Sequence, residues 1–342
     1  MQPKYKITTI GSHSALQILK GAKDEGFETI VVCVKGTEEP YKSFNVADKI
    51  ITIDNYKDFE KIEPTLLKEK AILIPHASFI AYMGFKRVEN LKVPYFGNKK
   101  ILRFEADRNL QRVWLKNSGI NVPRIFKNYK DIDRPVIVKF HGAQGGAGYF
   151  IAKNPADFKR KIKEYSGKQD YVIQEYIVGV PVYAHYFYSP LTDELEIISF
   201  DKRYESNVDS LGRISARDQL ALKKVDPSYV IIGNMPLVVR ESLLPNLFRI
   251  GRNVVEESKK FAPPGLFGPF SLEMIIRPDT KVFVFEISAR IVAGTNPYIN
   301  GSPYSYLKYN EPMSTGRRVA REIKNAIKKK RLPKVLDPND KS

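Results

Sequence analysis

Two acidic residues stand inside strongly apolar runs toward the carboxyl end of the chain. Glu273 lies within FSLEM and Glu286 within VFVFEIS. An unpaired charge in such a setting is costly, so each carboxylate needs a partner. Oxygen ligands on neighbouring strands suit Mg²⁺, which takes one or two carboxylates and completes its shell with nucleotide phosphates and water. The two residues therefore predict a site for Mg²⁺ or Mn²⁺, and the alternative is two structural ion pairs with Arg290 or Arg240.

A lysine followed by a glycine-rich loop is the second segment with chemical potential. Lys139 stands in the run VIVKF, and glycines crowd the positions that follow, among them Gly142, Gly145 and Gly146. Glycine lets a backbone fold over phosphates with its N–H groups turned inward, and a lysine at a strand end supplies a fixed positive charge. Neither a Walker loop nor a Rossmann fingerprint matches this spacing. We expect a phosphate-binding loop, and a plain hairpin turn is the alternative.

A third segment, YVIQEYIVG from residue 171 to 179, is an apolar run that turns polar and then breaks at glycine. A strand end that leaves backbone N–H and C=O groups open beside an apolar pocket can hydrogen-bond the edge of an adenine ring. The segment is thus a candidate adenine-binding hinge. An ordinary edge strand is the competing interpretation.

The composition limits the class of protein that carries these segments. With 342 residues and 43% apolar content, the chain can bury two or three modest cores. No apolar run approaches a membrane span, and the beginning MQPKYKITTIG lacks the regions of a signal peptide. We therefore expect a soluble, cytoplasmic protein without a membrane partner. The single cysteine, Cys33, lies in an apolar run and is expected to be structural.

The formal net charge of +18 raises the question of a nucleic-acid partner. Nine Lys or Arg and a single Glu fall between residues 317 and 334, so much of the surplus lies in one C-terminal segment. The sequence has no basic stripe interleaved with aromatic residues of the kind that stacks bases. We expect a solvated basic face there and no nucleic-acid partner.

Alternating strands and amphipathic helices cover the first hundred residues. The predicted strands are 6–10, 29–34, 49–53 and 71–75. Such alternation predicts a parallel sheet with crossover helices. Ser14 and Gln17 have the spacing of a capping box and predict the start of the first helix, which ends near Gly26.

The elements further along the chain predict an α+β arrangement. Predicted strands cover 136–140, 149–152, 171–176, 182–188, 195–201, 270–276 and 282–287, with helices over 100–117, 155–165 and 241–261. The first of these helices runs into SGINVP, which indicates a domain boundary. We predict an α/β domain over 1–98, a lid subdomain with its linker helix over 99–190, a C-terminal domain over 191–336 and a disordered tail over 337–342.

The order of these parts closely resembles the ATP-grasp fold. The parts follow that family's order: a helix that contains Asp107-Arg108 and ends in a Gly-Ile-x-Val-Pro turn, then the Lys139 strand with its loop, the hinge and the two acidic strands. Arg108 stands where a phosphate-binding lysine is usual. The resemblance spans essentially the whole chain. It implies an α/β and α+β architecture, with a Rossmann-like preATP-grasp domain followed by the ATP-grasp lid and C-terminal domains.

Several stretches that ATP-grasp membership does not require are similar to the archaeal FAICAR synthetases. They are GSHS (11–14), PHASF (75–79), PYFGN (94–98), DKRYESN (201–207), GNMP (233–236), RESLL (240–244) and SARIVAGTN (288–296). This resemblance implies a homo-oligomeric formate–AICAR ligase of purine (IMP) biosynthesis. Such an enzyme converts AICAR, formate and ATP into FAICAR, ADP and phosphate through formyl phosphate, without folate.

The resemblance also implies roles for individual residues. His13, Ser78 and Asn234 would contact the nucleotide substrate, although an ordinary helix start is the alternative for His13. Arg290 would hold formate or the transferring phosphoryl group. The residues implied for ATP are Arg108, Lys139, Gly142, Gly145 and Gly146 at the phosphates, Glu175 and Tyr176 at the adenine, and Glu205, for which a solvated strand end is the alternative. Glu273 and Glu286 would ligate Mg²⁺ or Mn²⁺.

Three departures from the family pattern bear on activity. Gln144 and Ala147 stand where the family loop commonly carries basic residues, and Pro181 stands where others keep a ribose-binding Glu. Phosphate binding would then depend on Lys139, Arg108 and backbone N–H groups. Two other functions stay open: an ATP-grasp paralogue that joins another carboxylate to an amine, and a non-catalytic nucleotide- or nucleic-acid-binding protein.

Overall fold

The computed structural model describes residues 4–140, 149–165, 170–205, 212–221 and 231–340, and within these ranges the strands form three sheets. The strands are β1 (Lys6–Ile10), β2 (Thr29–Val34), β3 (Lys49–Ile53), β4 (Ala71–Leu73), β5 (Ile125–Phe126), β6 (Val136–Phe140), β7 (Tyr149–Ala152), β8 (Tyr171–Glu175), β9 (Val180–Ser189), β10 (Glu194–Glu205), β11 (Ile231–Leu237), β12 (Gly268–Ile276) and β13 (Val282–Ser288). The α-helices are α1 (Ala15–Asp24), α2 (Glu39–Ser43), α3 (Glu63–Lys68), α4 (Ser78–Met83), α5 (Phe85–Glu89), α6 (Lys99–Ala106), α7 (Arg108–Asn117), α8 (Pro155–Ile162), α9 (Ala216–Ala221), α10 (Leu244–Phe261), α11 (Pro303–Tyr309) and α12 (Thr315–Lys328). Among these described helices, none is both long enough and apolar enough to cross a membrane.

The first sheet is parallel, with the strand order β3-β2-β1-β4. Its strands β1 and β2 are β-branched and almost wholly buried, as expected when helices cover both faces of a parallel sheet. The parallel arrangement predicted from the alternation of strands and helices is confirmed. The last strand ends at Leu73, two residues before the expected end at Pro75.

The predicted capping box at the start of α1 is wrong. Within the described residues the buried Ser14 hydroxyl has no hydrogen-bond partner. The Gln17 side chain reaches the loop after β13 instead, where its Nε2 donates to Thr295 Oγ1 at 2.6 Å and to Asn296 Oδ1 at 2.8 Å. The Gln17 side chain, which a local capping box would have used, is therefore bound to a distant loop.

The second sheet has the order β5-β8-β6-β7 and is antiparallel throughout. Its small core is aromatic, with Phe140, Phe150 and Phe158 packed together under α8. The predicted helix over 155–165 ends at Ile162 and continues as a short 3₁₀ turn. This sheet carries the two segments expected to bind ATP, the Lys139 strand and the hinge.

The third sheet is antiparallel, with the order β11-β10-β9-β12-β13. Strand β9, which the predicted division assigned to the lid, pairs with both β10 and β12. The boundary between lid and C-terminal domain therefore falls near residue 180 rather than at 190, because β9 is the central strand of the later sheet. Helix α10 covers one face, where Leu247 and Val254 pack on residues such as Leu272 in the largest core.

The other face of this sheet is polar. Alternate residues of neighbouring strands place their side chains there, since successive residues of a strand point to opposite faces. Its members, identified by register and mutual contacts, are Tyr183, His185, Asp201, Arg203, Asn234, Ser271, Glu273 and Glu286. We call this surface the polar face, and the candidate site is built on it.

The tail expected to be disordered over 337–342 is instead fixed as far as Asp340. The Asp340 carboxylate contacts Lys99 Nζ at 2.8 Å and accepts from the Tyr95 N–H at 2.7 Å. The Asp337 carboxylate accepts from the Lys99 N–H at 2.6 Å. Lys99 is buried, so its ammonium needs the Asp340 carboxylate. Residues 341 and 342 lie outside the described ranges.

The basic C-terminal helix is not the solvated face that its charge predicted. Helix α12 packs closely on α1, and a Cβ placed on Gly21 would lie 2.2 Å from the backbone nitrogen of Arg317. The Glu25 carboxylate is paired with Arg317, Arg321 and Lys324. Several of the surplus cations therefore join α12 to α1 instead of facing solvent.

Arg318 on the same helix anchors a buried ionic cluster. Its guanidinium contacts Glu196 at 2.8 Å and Glu322 at 2.8 Å, and all three residues are buried. Removing one member of such a cluster leaves uncompensated buried charge, which typically costs about 3–5 kcal/mol.

We therefore expect Arg318→Met to lower the free energy of unfolding by about 3–5 kcal/mol, measured by chemical denaturation. Lys328→Met, at an exposed position of the same helix, is the matched control and should change it by less than about 0.5 kcal/mol. Equal stability of the two variants would show that the cluster does not contribute as described.

Candidate active site

The two predicted metal carboxylates are direct neighbours on the polar face. Glu273 of β12 and Glu286 of β13 stand opposite each other in the antiparallel register. Glu273 is buried, whereas Glu286 is exposed, so the expectation that both need a buried partner is wrong for Glu286. Burial and the adjacent Glu286 carboxylate raise the pKa of Glu273 to about 7, against the opposing effect of Arg203. Two crowded carboxylates of this kind favour the approach of a cation.

The cationic partner of Glu273 is Arg203, which the sequence did not single out as a site residue. The Arg203 guanidinium contacts the Glu273 carboxylate and lies over the Tyr183 ring, 4.0 Å from its centre. The alternative partners considered from the sequence are wrong, because Arg290 pairs with Glu105 and Arg240 is exposed. The only signal in the sequence was the position of Arg203 in the run DKRYESN.

Lys139 reaches this site from the second sheet. Its ammonium lies over the Phe285 ring, 5.6 Å from the ring centre. Phe285 directly precedes Glu286 in the sequence. Burial lowers the pKa of Lys139, while the charge of Glu286 acts in the opposite direction. The lysine of the glycine-rich segment and the two carboxylates therefore border the same space. The loop itself, with Gly142, Gly145 and Gly146, lies outside the described residues.

Arg108 is the first residue of α7 and is exposed. Asp107 caps this helix, its carboxylate accepting from the N–H groups of Asn109 and Leu110 at 2.8 and 3.1 Å. The charge of Arg108 contributes to lowering the pKa of Lys139, which places the two cations near each other. Lys139, which lies beside the carboxylate pair, thus has a second positive group, Arg108, as a neighbour.

Arg290, just after β13, is held by a carboxylate that sequence reasoning missed. Its Nη2 lies 2.7 Å from Glu105 Oε1, and the other Glu105 oxygen accepts from the Ala289 N–H at 2.9 Å. Burial raises the pKa of Glu105, and Arg290 opposes that rise. Among the described residues, the Arg290 Nε is buried without a hydrogen-bond partner. The end of α6 therefore sets the position of this arginine.

His13 occupies the turn between β1 and α1 with a φ of 54°, in the left-handed region. Its carbonyl accepts from Asn296 Nδ2 at 2.8 Å, which ties the turn to the loop after β13. His13 is exposed, although neighbouring groups remove part of its hydration. That desolvation, with the charges of Arg290 and Arg203, lowers the pKa of His13 to about 4. His13 therefore lies within electrostatic reach of Arg290 and of Arg203, the partner of Glu273.

Ser78 begins α4 on the opposite side of this turn. Its Oγ donates to Ser12 Oγ at 3.0 Å. The buried His76 positions it, since His76 Nδ1 accepts from the Ser78 N–H at 3.3 Å and His76 Nε2 lies 2.9 Å from the Ile10 carbonyl. Ser78 and His13 are thus both adjacent to the end of β1.

Asn234 lies on β11 opposite Arg203 in the register. Its Nδ2 donates to Asp201 Oδ2 at 2.6 Å. A Cβ placed on Gly294 would lie 2.3 Å from the other Asp201 oxygen, and Gly294 is only two residues from Asn296, which holds His13. The predicted nucleotide contacts therefore border the loop 293–296 from two sides.

The hinge leaves fewer hydrogen-bonding groups open than the sequence predicted. The Glu175 carboxylate accepts from Arg134 Nη1 and from the Arg124 N–H, each at 3.1 Å. The Tyr176 N–H donates to the Pro135 carbonyl at 2.9 Å, so it is not open to an adenine edge as the sequence predicted. The exposed ring of Tyr176 is available for contact with a base. Glu205 is the last residue of β10, and its side chain is outside the description.

Two family models match the chain. The model described as "Protein of unknown function (DUF1246)" matches residues 7–126, and the one described as "Domain of unknown function (DUF1297)" matches residues 152–337. The chain is 54% identical over 338 residues to the 5-formaminoimidazole-4-carboxamide-1-(beta)-D-ribofuranosyl 5'-monophosphate synthetase of Pyrococcus abyssi, covering 97% of this chain and 98% of that protein. The synthetase of the same name from Methanocaldococcus jannaschii is 48% identical over 341 residues, covering 96% and 94%.

Solved structures give a parallel result. The crystal structure of an IMP biosynthesis protein PurP from Thermococcus kodakaraensis is similar with a TM-score of 0.78 and 30% identity, over 96% of this chain and 99% of that one. The ADP complex of an N5-carboxyaminoimidazole ribonucleotide synthetase is similar with a TM-score of 0.67 and 15% identity, over 99% and 80%. The second likeness is one of fold alone.

Proposed function

The chain belongs to the family of the 5-formaminoimidazole-4-carboxamide ribonucleotide (FAICAR) synthetases, and from this premise we propose that it formylates AICAR with formate and ATP. The products are FAICAR, ADP and phosphate. It is an ATP-dependent carbon–nitrogen ligase of IMP biosynthesis, and its fold is ATP-grasp with a Rossmann-like N-terminal domain.

One observation carries the proposal most directly. Two segments far apart in sequence border a single space: the β12–β13 hairpin with Glu273 and Glu286 in the third sheet, and β6 with Lys139 in the second. Carboxylates beside a lysine are the groups that a triphosphate with its divalent cation requires. His13 supports a nucleotide subsite on the adjoining side. Its carbonyl is bound by Asn296 in the loop after β13, and the charges of Arg290 and Arg203 contribute to lowering its pKa.

The residues present fit a divalent cation. Glu273 and Glu286 are adjacent, and burial together with the charge of Glu286 raises the pKa of Glu273, an unfavourable setting for its charge that a cation would relieve. These two carboxylates would hold Mg²⁺ or Mn²⁺, with Arg203 fixing one oxygen of Glu273. When bound, the ion neutralises phosphate charge and helps to orient the γ-phosphoryl group.

In the first step a formate oxygen attacks the γ-phosphorus of ATP in line. The new bond joins that oxygen to phosphorus as the bond to the ADP oxygen breaks, which gives formyl phosphate. Lys139 and Arg108 would bind the phosphates and stabilise the charge that shifts to ADP. Arg290, oriented by Glu105, would hold formate or the transferring phosphoryl group.

In the second step the 5-amino nitrogen of AICAR attacks the formyl carbon. The carbon–oxygen bond to phosphate breaks, phosphate leaves with the former formate oxygen, and the amine loses a proton. His13, Ser78 and Asn234 would orient the nucleotide so that its amine meets the formyl carbon. The ring of Tyr176 would contact the adenine of ATP, and Glu175 would support the hinge through Arg134.

The test is a product assay with purified protein and Mg-ATP. We expect ADP and phosphate only when formate and AICAR are both present, together with FAICAR detected by chromatography. ADP release that needs a different carboxylate or amine would favour an ATP-grasp paralogue. Salt-sensitive binding to nucleic acid without ATP hydrolysis would contradict the proposal.

A homo-oligomer is also proposed, on the basis of an edge strand and several exposed apolar side chains. Among the described strands, β11 lies at the edge of its sheet with exposed Ile232, and Val238 follows it, while α11 exposes Leu307 at 83%. Such an edge is normally covered in native proteins. Sedimentation velocity should show an assembly larger than the 39.1 kDa chain, and a monomer at micromolar concentration would contradict this.

A further inference from the structure

Three buried polar side chains of the polar face, Ser271, His185 and Asp201, form a hydrogen-bonded row that has no part in the roles above. His185 and Asp201 are 2% and 1% exposed. His185 Nδ1 lies 2.6 Å from Ser271 Oγ, and His185 Nε2 lies 2.7 Å from Asp201 Oδ1. The second Asp201 oxygen accepts from Asn234 Nδ2 at 2.6 Å. With Asn234 the row runs from β12 to β11 and ends on a residue expected to contact the nucleotide.

This row of hydrogen-bonded side chains determines the orientation of the Asn234 amide. A carboxylate only accepts hydrogen bonds, so Asn234 must direct its NH₂ group toward Asp201. The amide carbonyl oxygen then points away from Asp201. A carbonyl oxygen accepts from an N–H or O–H group and gains nothing from a phosphate oxygen, which is also an acceptor. The carbonyl oxygen of Asn234 is therefore suited to an N–H or O–H group of the base or ribose, while the second N–H of its NH₂ group remains a donor.

The loop 293–296 lies directly on the buried pair. A Cβ on Gly294 would come within 2.3 Å of Asp201 Oδ1 and 2.8 Å of His185 Cε1, so only glycine permits this approach. Asn296 in the same loop donates to the His13 carbonyl. The pair and His13 are therefore linked through four residues of one loop, on either side of the proposed nucleotide subsite.

We propose that His185 and Asp201 are positioning residues that hold the Asn234 amide with its carbonyl oxygen toward the nucleotide substrate. There it accepts a hydrogen bond from an amino or carboxamide N–H. Ser271 fixes the imidazole from one side, and His185 in turn fixes the carboxylate, so Asp201 presents one oxygen to Asn234 in a single orientation. This inference rests on the proposed function, because the nucleotide that Asn234 meets is AICAR.

A double-mutant cycle tests the proposal, since a residue that acts through another has no effect once the other is gone. The variants are Asp201→Asn, Asn234→Ala and the combination. Asp201→Asn keeps the shape but can donate toward Asn234, which lets the Asn234 amide turn. We expect it to raise the KM for AICAR about tenfold, the loss of one neutral hydrogen bond, while kcat and the KM values for ATP and formate change less than about twofold.

In the Asn234→Ala background, Asp201→Asn should produce no further rise in the KM for AICAR. The same rise in both backgrounds, or equal changes in all three KM values, would overturn the proposal in favour of a purely structural pair. Ser199→Ala is the matched control on the same strand, because among the described residues its buried hydroxyl has no hydrogen-bond partner. It should leave the KM for AICAR unchanged.

His185→Gln provides a second route if Asp201→Asn does not fold. It keeps an N–H donor for Asp201 but cannot also reach Ser271 in the geometry of the ring, so a smaller rise in the KM for AICAR is expected, again absent without Asn234. Failure of the wild-type protein to formylate AICAR would reject the proposed function itself. If the wild-type protein is active and the effects of Asp201→Asn and Asn234→Ala on the KM for AICAR are additive, only the positioning role is rejected.

Discussion

Replacing Glu286 by Gln should reduce kcat by about a hundred- to a thousandfold without unfolding the protein. Glu286 is exposed and directly opposite Glu273, so its charge is not needed for packing. Gln keeps the size of the side chain but is a poor ligand for a hard divalent cation. The measurement is steady-state ADP release as a function of Mg²⁺ concentration, with the melting temperature recorded alongside.

The matched control is Asp279→Asn, an exposed carboxylate in the turn that joins the same two strands. We expect this variant to keep wild-type kcat and wild-type Mg²⁺ dependence. If Glu286→Gln also kept kcat within about threefold at every Mg²⁺ concentration, the carboxylate pair would not be the metal site.

Replacing Lys139 by Met should lower kcat/KM for ATP by about a hundredfold or more. Met is one atom shorter than lysine but keeps an unbranched apolar side chain, so it can still pack near Phe285 while the charge is lost. The charge is expected to matter because the lysine borders the carboxylate pair at the proposed triphosphate site. Initial rates at varied ATP, with formate and AICAR saturating, give the measurement.

Lys153→Met serves as the control for Lys139, since Lys153 is an exposed lysine next to β7 of the same sheet. It should leave kcat/KM for ATP unchanged. A Lys139→Met enzyme with ATP kinetics equal to those of the control would place the phosphates elsewhere and contradict the proposed site.

The sequence was most informative where chemistry interrupts a strong local pattern. Glu273 and Glu286 break two apolar strands, and the strands pair so that both carboxylates share one face. Lys139 stands at the end of a β-branched run, and that run forms β6. The parallel first sheet follows from alternating strands and helices. Each of these features depends on local periodicity, which a single sequence displays.

The features that the sequence did not reveal depend on register and on contacts between distant segments. Arg203 pairs with Glu273, which is 70 positions further along the chain, and Glu105 pairs with Arg290, which lies further away still in sequence. Gln17 looked like a capping residue because its spacing from Ser14 fits that motif, but it bonds 278 positions away. Local spacing does not identify such partners, because only the folded topology brings them together.

The tail illustrates the same limit. Polar residues near a chain end usually predict disorder. Here Asp337 and Asp340 are held by Lys99, whose burial follows from the position of α6 in the fold. No pattern within the tail records that distant partner.

The central claim is that this chain joins formate to AICAR through an acyl phosphate. Its most direct test uses formate labelled with ¹⁸O at both oxygens, together with ATP and AICAR, and follows the released phosphate by ³¹P NMR. The account predicts ADP as the nucleotide product, one ¹⁸O in each phosphate and the other in the formyl group of FAICAR. Unlabelled phosphate, or AMP with pyrophosphate in place of ADP, would contradict it.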